Sequence, residues 1–438
     1  MPNAIGILLF ALGLLASIAL HEVGHLVPAK RFGVKVTQYM VGFGPTIWSR
    51  RRGDTEYGLK AIPLGGYIRM IGMFPPRRGD DPGALRRSST GPFQALMEDA
   101  RRASLEEVGP GDENRVFYKL PVRQKVIVMV GGPFMNLVLG AVLLTVALSV
   151  IGSPTYVGTT TVSSVSKCVV PAAQAARATC DPEDPRTPAA KAGLKAGDTI
   201  VSLGGQKVSE WEELSALIRK QPAGPVPLVI ERDGRQVRLT VDLIRTERPT
   251  SVQDPTPVKV GFLGVAPTSV VAGRTTLPWT ELPAMLGDAV ARTAGAIADV
   301  PARMVGVWKA AFGDGEREAD GPIGIVGVSR IGGEVAAMPD VPLYGRVSSW
   351  LAILGSVNLA LFVFNLVPLL PLDGGHVAGA LYEGARRQVS RWRRRPDPGP
   401  VDVTKMLPVA YSVAILLVGM SALLLYADIV NPVRLSNL

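Results

Sequence analysis

Histidine and cysteine are scarce in this sequence, with 3 histidines and 2 cysteines among 438 residues. Cys168 and Cys180 do not form a C-x-x-C pair, which argues against a cysteine-based metal knuckle. Both lie in one segment between apolar stretches, so we expect a disulfide that closes a short loop if this segment faces an oxidising compartment. Two unrelated free thiols are the alternative.

Charged residues are absent from four long windows. Each window is long enough to cross a bilayer, which takes about 20 apolar residues. The first window has no Lys or Arg at its start, and cleavage after it would discard the residues before His21, so we interpret it as a membrane helix and not as a signal peptide. The four windows span residues 1–20, 126–152, 347–372 and 406–427.

The net charge of +10 is compatible with nucleic-acid binding, but the positions of the charges argue against it. Lys and Arg exceed Asp and Glu in residues 28–125 and in the short segment 383–405, whereas residues 153–300 are nearly neutral. By the positive-inside rule, the two basic loops are cytoplasmic and the neutral segment lies outside. Anionic lipid head groups account for the Arg-rich run at residues 391–395. We therefore predict a lipid bilayer, and no nucleic acid, as a partner.

The first apolar segment ends in an H-E-x-x-H motif, which runs from His21 to His25. Residues four apart share a face of a helix, so both histidines can present an imidazole nitrogen to one metal ion. Glu22 lies beside them, where a general base would accept a proton from water at a catalytic zinc site. The alternative is chance, in which two histidines cap an apolar helix beside a solvated glutamate.

The third histidine, His376, lies in a second polar cluster that follows the third window. Ionisable residues at membrane depth are costly and mark functional sites with a partner close by. Asp373 has no Lys or Arg close upstream, so a metal ion is a suitable counter-charge. Pro368 and Pro371 interrupt helical hydrogen bonding, which is tolerated where the backbone lines a cavity. On this chemistry the third ligand is Asp373 or His376, and a polar helix end at the cytoplasmic surface is the alternative.

The first basic loop, residues 28–125, divides into two parts. Residues 36–73 contain short β-prone stretches broken by Gly and Pro, which predicts a hairpin-like sheet at the membrane surface. Residues 74–121 are rich in Pro, Gly and Arg and have no sustained period. We expect this part to be a mobile insertion with a short helix near residues 93–102.

Residues 153–250 have the pattern of a globular α+β domain. Two alternating strands flank the turn at Asp233 and Gly234, and a predicted helix ends near Lys220. This order, with A-G-L-x-x-G-D at residues 192–198, resembles a PDZ domain, which can add a partner's extended chain to its sheet edge. A steric plug is the alternative role. Residues 251–345 are expected to form a linker and an amphipathic helix at the membrane interface.

Taken together, the motifs resemble a site-2 protease, the intramembrane zinc metalloprotease family, of the bacterial regulator-of-sigma-E type and with the layout of its actinobacterial members. The resemblance covers nearly the whole chain and includes H-E-V-G-H, G-F-G-P, P-L-G-G-Y, G-G-P-F-M-N and N-x-x-P-x-x-P-L-D-G-G-H. It implies one Zn²⁺ per chain, held by His21, His25 and Asp373, with Glu22 as the general base. His376 then has a supporting or structural role.

The resemblance also implies how substrate is held. The segment Glu56–Ile71 is expected to bind it as an added β-strand, which supplies backbone hydrogen bonds in exchange for those of the unwound helix. Two asparagines are expected to bond the substrate backbone or the developing oxyanion, with helix packing as the alternative. Residues 131–136 are expected to support the site structurally. The substrate-binding residues so implied are Gly65, Gly66, Tyr67, Asn358 and Asn365.

We therefore expect a multi-pass α-helical membrane protein with about four transmembrane helices, a membrane-associated β-hairpin and an inserted extracytoplasmic PDZ domain. The expected membrane segments are residues 1–27, 126–152, 346–382 and 406–428. The expected function is that of a zinc endopeptidase of the bacterial plasma membrane, with its active site toward the cytoplasm. Its expected substrate is a single-span protein, such as an anti-sigma factor already trimmed outside by a site-1 protease.

Two other classes compete with this interpretation. A catalytically inactive membrane PDZ adaptor would keep the fold but tolerate Glu22→Ala without loss of function. A metal transporter would also use intramembrane His and Asp, but it needs neither a glutamate between its ligands nor an exported PDZ domain.

Overall fold

The computed structural model describes residues 2–76, 92–170, 180–181, 183–249, 257–313, 317 and 321–433. The chain divides into two compact units, of which the first combines Met1–Ser153 with Thr276–Leu438 and the second is Pro154–Thr275. The helices are α1 (Pro2–Arg31), α2 (Pro92–Glu106), α3 (Val122–Thr145), α4 (Pro188–Lys191), α5 (Trp211–Lys220), α6 (Leu282–Phe312), α7 (Ile325–Ala337), α8 (Leu343–Asn365), α9 (Asp373–Trp392) and α10 (Leu407–Val430). The strands are β1 (Val36–Arg52), β2 (Thr55–Met70), β3 (Ser153–Val165), β4 (Thr199–Leu203), β5 (Gln206–Lys207), β6 (Gly224–Arg232), β7 (Arg235–Pro249), β8 (Pro257–Phe262) and β9 (Val265–Thr275).

Four helices in the described residues are long and apolar enough to cross a membrane. Much of their apolar surface is exposed; in α10, for example, Ile415 and Val418 are about 70% accessible. Lipid is the solvent in which such surface is stable. The prediction of about four transmembrane helices is confirmed, and the protein is an integral membrane protein. The spans are Ala4–Arg31, Val122–Ile151, Leu343–Asn365 and Val403–Val430.

The expected third membrane segment, residues 346–382, is divided between two helices. Helix α8 ends at Asn365 and α9 begins at Asp373, with turns in between. Proline has no backbone N–H to donate, so Pro368 and Pro371 favour this break. The break places Asp373 in the first turn of a new helix, and not in the middle of a continuous one.

Glycine allows the membrane helices to approach each other closely. A Cβ added at Gly24 of α1 would overlap the carbonyl group of Gly131 in α3, and one at Gly131 would overlap that of Gly24. The crossing of α3 with α8 is similar, because Gly140 lies against the side chain of Leu359 and the backbone of Gly355. Small residues at such crossings are typical of membrane bundles, where close packing and not hydrophobic burial holds helices together.

Strands β1 and β2 form a strongly bent antiparallel hairpin. The first part of β1, Val36–Val41, pairs on one side with Gly66–Met70 and on the other with Glu56–Leu59, while Thr46–Arg52 pairs with Thr55–Lys60. The segment Gly66–Met70 is therefore an outer edge of this small sheet. The tip exposes large apolar side chains, including Ile47 at 66% and Trp48 at 59%. Such a tip suits insertion at the membrane surface, as the sequence predicts.

Of the expected mobile insertion, residues 74–121, the structure describes residues 74–76 and 92–121, and residues 77–91 lie outside the described residues. The expected short helix is present and longer, as α2. The guanidinium of its Arg101 is buried and donates to the Asp402 carboxylate at 2.8 Å and to the Thr404 hydroxyl at 2.6 Å. These partners lie about 300 residues away in sequence, so local composition does not reveal them.

The second unit contains a sheet in the order β8-β7-β6-β4-β3-β9, with β5 beside β4. Asp233 and Gly234 both have positive φ, as expected for a two-residue hairpin turn between β6 and β7. The expected boundary at residue 250 is wrong, because β8 and β9 belong to this sheet and extend the unit to Thr275. Cys168 and Cys180 are joined as a disulfide in the structure, with their Cα atoms 5.9 Å apart. The core of this unit includes Ile200, Leu203, Leu214, Leu228, Ile230, Val241 and Leu243.

A buried ion pair holds α9 against the start of α3. Lys125 and Glu383 are 5% and 2% exposed, and the ammonium donates to both carboxylate oxygens at 2.9 and 3.1 Å. The same carboxylate accepts from the backbone N–H of Val401, and Arg387 lies 3.0 Å away. Removing one partner of a buried pair leaves an uncompensated charge, which costs more than removing both.

We predict that Glu383→Leu destabilises the protein by about 3–5 kcal/mol, because it leaves the Lys125 ammonium buried without a counter-charge. Adding Lys125→Met should recover most of this loss. The thermal unfolding midpoint in detergent micelles measures both effects. Equal destabilisation in the single and double variants would contradict this account of the pair.

Asp198 and Arg232 should make the stability of the second unit depend on pH. Arg232 donates to both oxygens of Asp198 at 2.7 Å and holds the pKa of that carboxyl below its usual range. A carboxyl whose pKa is lowered by folding adds stability above its unfolded pKa, about 3.9, and loses it as the pH falls through the lower folded value.

We therefore predict that Arg232→Gln weakens protection of β4 amides from hydrogen exchange near pH 7, and that the difference from wild type disappears as the pH falls through the lowered pKa of Asp198. Mass spectrometry of peptides from β4 measures it at each pH. Arg238→Gln, on an exposed part of β7, is the matched control and should have little effect. A difference that persists unchanged at low pH would contradict the assignment.

Candidate metal centre

Two histidines and one aspartate meet where α1 faces the start of α9. The Nε2 atoms of His21 and His25 are 3.2 Å apart, and they lie 3.4 and 3.3 Å from Oδ2 of Asp373. The three atoms thus form a nearly equilateral triangle. Among the described residues, this is the group of His, Cys, Asp and Glu side chains whose ligand atoms are close enough to hold one metal ion.

The size of this triangle fits zinc. Zinc bonds to imidazole nitrogen and carboxylate oxygen are about 2.0–2.2 Å long, and a tetrahedron with such arms has edges of about 3.3–3.5 Å. Two nitrogen ligands and one oxygen ligand also leave a fourth tetrahedral position open, as in catalytic zinc sites. The residues present therefore fit a catalytic zinc ion in both ligand chemistry and spacing.

The other ring nitrogen of each histidine has a partner that fixes its orientation. Nδ1 of His25 lies 2.8 Å from the carbonyl oxygen of Val128, so Nδ1 carries the proton and Nε2 keeps its lone pair. Nδ1 of His21 lies 3.1 Å from the amide group of Asn136, which is 1% exposed. Both partners belong to α3, so this helix directs both imidazoles toward Asp373.

The orientation of the Asn136 amide that suits a metal-binding His21 places its oxygen toward that ring. With the amide nitrogen placed there, Oδ1 is buried without a hydrogen-bond partner. Oxygen and nitrogen of an amide exchange by a flip, and the hydrogen-bond network decides between them. With Oδ1 at that position, Nδ1–H of His21 donates to it and Nε2 is free to bind a metal.

Glycine leaves the space that the centre needs. A Cβ at Gly132 of α3 would overlap Nε2 of His25, so any larger residue would displace that ligand or fill its immediate surroundings. Gly132 is followed four residues later by Asn136, which lies on the same face of α3. One face of this helix therefore makes room for His25, at Gly132, and orients His21, through Asn136.

Glu22 lies between the centre and the edge of the hairpin. It is 9% exposed, and the backbone of Ile68 in β2 lies close to its carboxylate. A Cβ at Gly66 would lie 3.0 Å from Cγ of Glu22, so the strand passes close to this side chain. Tyr39 of β1 donates to the carbonyl oxygen of Ala19 at 2.8 Å, which fixes the hairpin to α1. Burial and the Glu22 carboxylate raise the pKa of Tyr39 to about 12, so it remains a donor at neutral pH.

Asn358, Asn365 and His376, which were also expected at the site, lie outside the group of three ligands. Asn358 is fully buried, and its amide nitrogen donates to the hydroxyl of Ser17 at 3.0 Å and to the carbonyl of Leu354, which ties α8 to α1. Asn365 is the last residue of α8 and is partly buried. His376 is not one of the three grouped ligands; it lines a small cavity with Lys125 and Glu383.

Gly65 and Tyr67 lie in β2 on either side of Gly66. Gly65 has a φ of 137°, a conformation that L side chains rarely adopt, and a Cβ there would overlap the ring of Phe43. The ring of Tyr67 stacks on that of Phe43, with ring centres 6.1 Å apart. These contacts shape the end of the hairpin edge that lies nearest Glu22.

Sequence reasoning did not find the contact of Asn136 with His21, nor that of Tyr39 with Ala19. The sequence does contain a signal for the first, because the G-x-x-x-N spacing places Gly132 and Asn136 on one helix face beside an intramembrane metal motif. It contains no comparable signal for Tyr39, whose contact depends on how the hairpin folds back onto α1.

Comparison with known proteins gives consistent results. Residues 9–395 match the sequence model of peptidase family M50. The chain is 38% identical to zinc metalloprotease Rip1 of Mycobacterium tuberculosis, with 98% of both chains covered. It is 37% identical to zinc metalloprotease Rip1 of Mycolicibacterium smegmatis, over 99% of this chain and 100% of that one. It is 27% identical to metalloprotease MmpA of Caulobacter vibrioides, with 88% and 87% covered.

We predict that Asn136→Leu lowers the zinc affinity about 10- to 100-fold, since losing the partner of a metal-bound histidine has effects of that size. Asn136→Asp should keep most of the affinity, because a carboxylate also accepts from Nδ1–H of His21. Competition with a fluorescent zinc chelator measures the affinity without any assay of activity. Equal affinity in Asn136→Leu and wild type would contradict the assigned role.

Proposed function

We propose a substrate and a reaction path for this protein. The premise is that the chain belongs to peptidase family M50, the site-2 proteases, and is an integral membrane zinc metalloprotease of the actinobacterial type. We infer that it hydrolyses peptide bonds within or near the transmembrane segment of single-span membrane proteins. The observation that carries this proposal is the position of Glu22 beside the triangle of His21, His25 and Asp373, within the membrane helix α1.

The three ligands would hold one zinc ion per chain. Zinc supplies Lewis-acid chemistry there: it polarises a carbonyl group and makes water more acidic. Glu22 accepts the proton of the attacking water and passes it to the leaving amine, as a general base and then a general acid. The close approach of Gly66 and Ile68 places this carboxylate beside the hairpin edge where the substrate would arrive.

The hairpin edge offers a way to bind the substrate in an extended form. A helical transmembrane segment has its peptide bonds engaged in internal hydrogen bonds, so it must unwind before hydrolysis. The edge Gly66–Met70 pairs with β1 on one side only, and Gly66 lies close to the Glu22 side chain. A substrate strand added there would regain backbone hydrogen bonds and pass next to the general base. In this path Gly65, Gly66 and Tyr67 contact substrate, and Asn365 is a candidate for bonding its unwound backbone, whereas the buried contacts of Asn358 with Ser17 and Leu354 favour the alternative role of helix packing.

The distribution of charge supports an orientation in the bacterial plasma membrane. Helix α1 ends in Lys30 and Arg31, close after the metal ligands, and α9 ends in an Arg-rich segment. By the positive-inside rule these ends are cytoplasmic, so the active site lies toward the cytoplasm. The second unit then lies on the extracytoplasmic side, where disulfides persist.

We further propose that the second unit is a PDZ domain that recognises or obstructs substrates on the outside. Antiparallel strands and the helix α5 support this assignment, as does the A-G-L-x-x-G-D sequence before β4. The implied substrates are anti-sigma factors that another protease has already trimmed outside, as the family resemblance suggests. An inactive adaptor would keep this domain and need no general base.

We predict that Glu22→Gln abolishes cleavage of a tagged single-span substrate in reconstituted vesicles, because the attacking water loses its base. The variant should retain zinc and the thermal stability of wild type, since its side chain has nearly the same size. A strong chelator should abolish wild-type cleavage, and added zinc should restore it.

Persistent cleavage in Glu22→Gln would contradict the proposed mechanism. Glu210→Gln, at an exposed position in the second unit, is the matched control and should leave the rate unchanged. If the wild-type protein binds such substrates but cleaves none of them, the adaptor is the better interpretation.

A further inference from the structure

A cavity of about 1170 Å³ lies within the first unit, near the start of α9. Its wall includes Gly375, which follows Asp373 by two residues, and Pro368, from the turn before α9. One end of the cavity therefore adjoins the residue that completes the metal triangle. None of the roles assigned above uses this space.

One face of α9 lines the cavity. Gly375, Ala378, Gly379 and Tyr382 recur at helical spacing and all belong to the wall. Gly375 is packed, because a Cβ there would overlap the backbone of Leu369 and Leu370, whereas Gly379 leaves room. A Cβ at Gly379 would meet nothing closer than a methyl group of Val403, 3.8 Å away. This part of the helix therefore faces open space and not a packed neighbour.

The opposite wall comes from the insertion and from the loop before α10. Met97 and Arg101 of α2 line the cavity, as do Pro75 and Pro76 after the hairpin. Arg101 fixes α2 in this position through its bonds to Asp402 and Thr404. The insertion at residues 74–121, which the catalytic chemistry does not require, thus supplies a wall of the space next to the site.

The charged side chains of the wall are mostly basic. Arg101, Arg386 and Lys405 face one carboxylate, that of Asp402. Arg386 donates to the backbone carbonyls of Pro398 and Gly399, so it is held by neutral groups and keeps its positive field. Lys405 is exposed. A wall of this composition attracts negative charge.

We propose that this cavity binds an extended, acidic segment of the substrate on the cytoplasmic side of the scissile bond. This rests on the proposed function. The edge Gly66–Met70 is joined by residues 71–74 to Pro75 and Pro76, which line the cavity, so a substrate strand added at this edge lies on the segment that leads to the cavity wall. The hairpin edge recognises backbone and is indifferent to sequence, whereas the cavity selects for charge and extended shape.

Cross-linking tests the path directly. In a Glu22→Gln background, Gly379→Cys should form disulfides with single cysteines placed a few residues to the cytoplasmic side of the cleavage position in a transmembrane substrate. Cysteines on the opposite side should not react. Gly295→Cys, a helix position in α6 with open space around it, is the matched control and should not react with either set.

Substrate charge tests the selectivity. For a substrate with three acidic residues in that segment, Lys405→Glu should raise KM about 5-fold, and it should lower KM for the matching substrate with three lysines. Gly379→Leu should raise KM for both the acidic and the lysine substrate, because it fills the cavity. It should change kcat little. Gly295→Leu should change neither value.

The outcomes separate this inference from the proposed function. If wild type neither cleaves nor binds any transmembrane substrate, the proposed function itself is wrong. If wild type cleaves and Gly379→Cys forms no cross-link, or Lys405→Glu leaves the charge preference unchanged, only the cavity assignment is overturned. A rate that follows the phosphatidylglycerol content of the vesicles and ignores substrate charge would assign the cavity to lipid and also overturn it.

Discussion

The convergence of the Asp373 carboxylate with the two imidazoles is the constraint on which the rest of the first unit depends. The ligands come from stretches about 350 residues apart, and a shift of 1 Å in either would change a triangle whose edges are 3.2–3.4 Å. Two features hold these stretches in place. The contact of Gly24 with Gly131 fixes α1 against α3, and the Lys125–Glu383 pair fixes α9 against the same helix. Helix α3 contributes no metal ligand, yet it is the common support of both ligand helices.

Breaking the third membrane segment is what makes the aspartate usable. In an unbroken helix a carboxylate at this depth would need a buried partner, and its position would be tied to the axis of α8. The turns at residues 366–372 let α9 start in a new direction, with Asp373 in its first turn, where the helix dipole favours negative charge. The same break opens the space lined by Pro368 and Gly375. Irregular backbone, an aspartate ligand and a cavity thus have one structural origin.

Local patterns predicted the parts of the structure that depend on short stretches of sequence. Four charge-free windows gave the membrane helices, and the four-residue spacing of His21 and His25 gave one face of a helix. Ligand chemistry alone did not decide whether Asp373 or His376 is the third metal ligand. The sequence does not show which of the two side chains the first turn of α9 directs toward α1. The strands β8 and β9 were missed because they follow a proline-rich segment and complete a sheet whose other strands come much earlier. The packing of α2, within residues 92–121, was missed because the buried partners of Arg101 lie in the loop before α10.

The arrangement around Glu22 separates reactivity from selectivity. Metal ligands and the general base act on any peptide bond, and a strand edge accepts any backbone, so neither distinguishes one unwound substrate from another. Discrimination therefore has to come from surfaces that contact side chains away from the cut. We propose that α2 and the loop before α10 form such a surface in the first unit, and both are segments that the metal centre itself does not use. The Arg101–Asp402 ion pair ties these two segments together, so on this proposal changes in the insertion would alter which substrates are preferred without disturbing the geometry of the ligands.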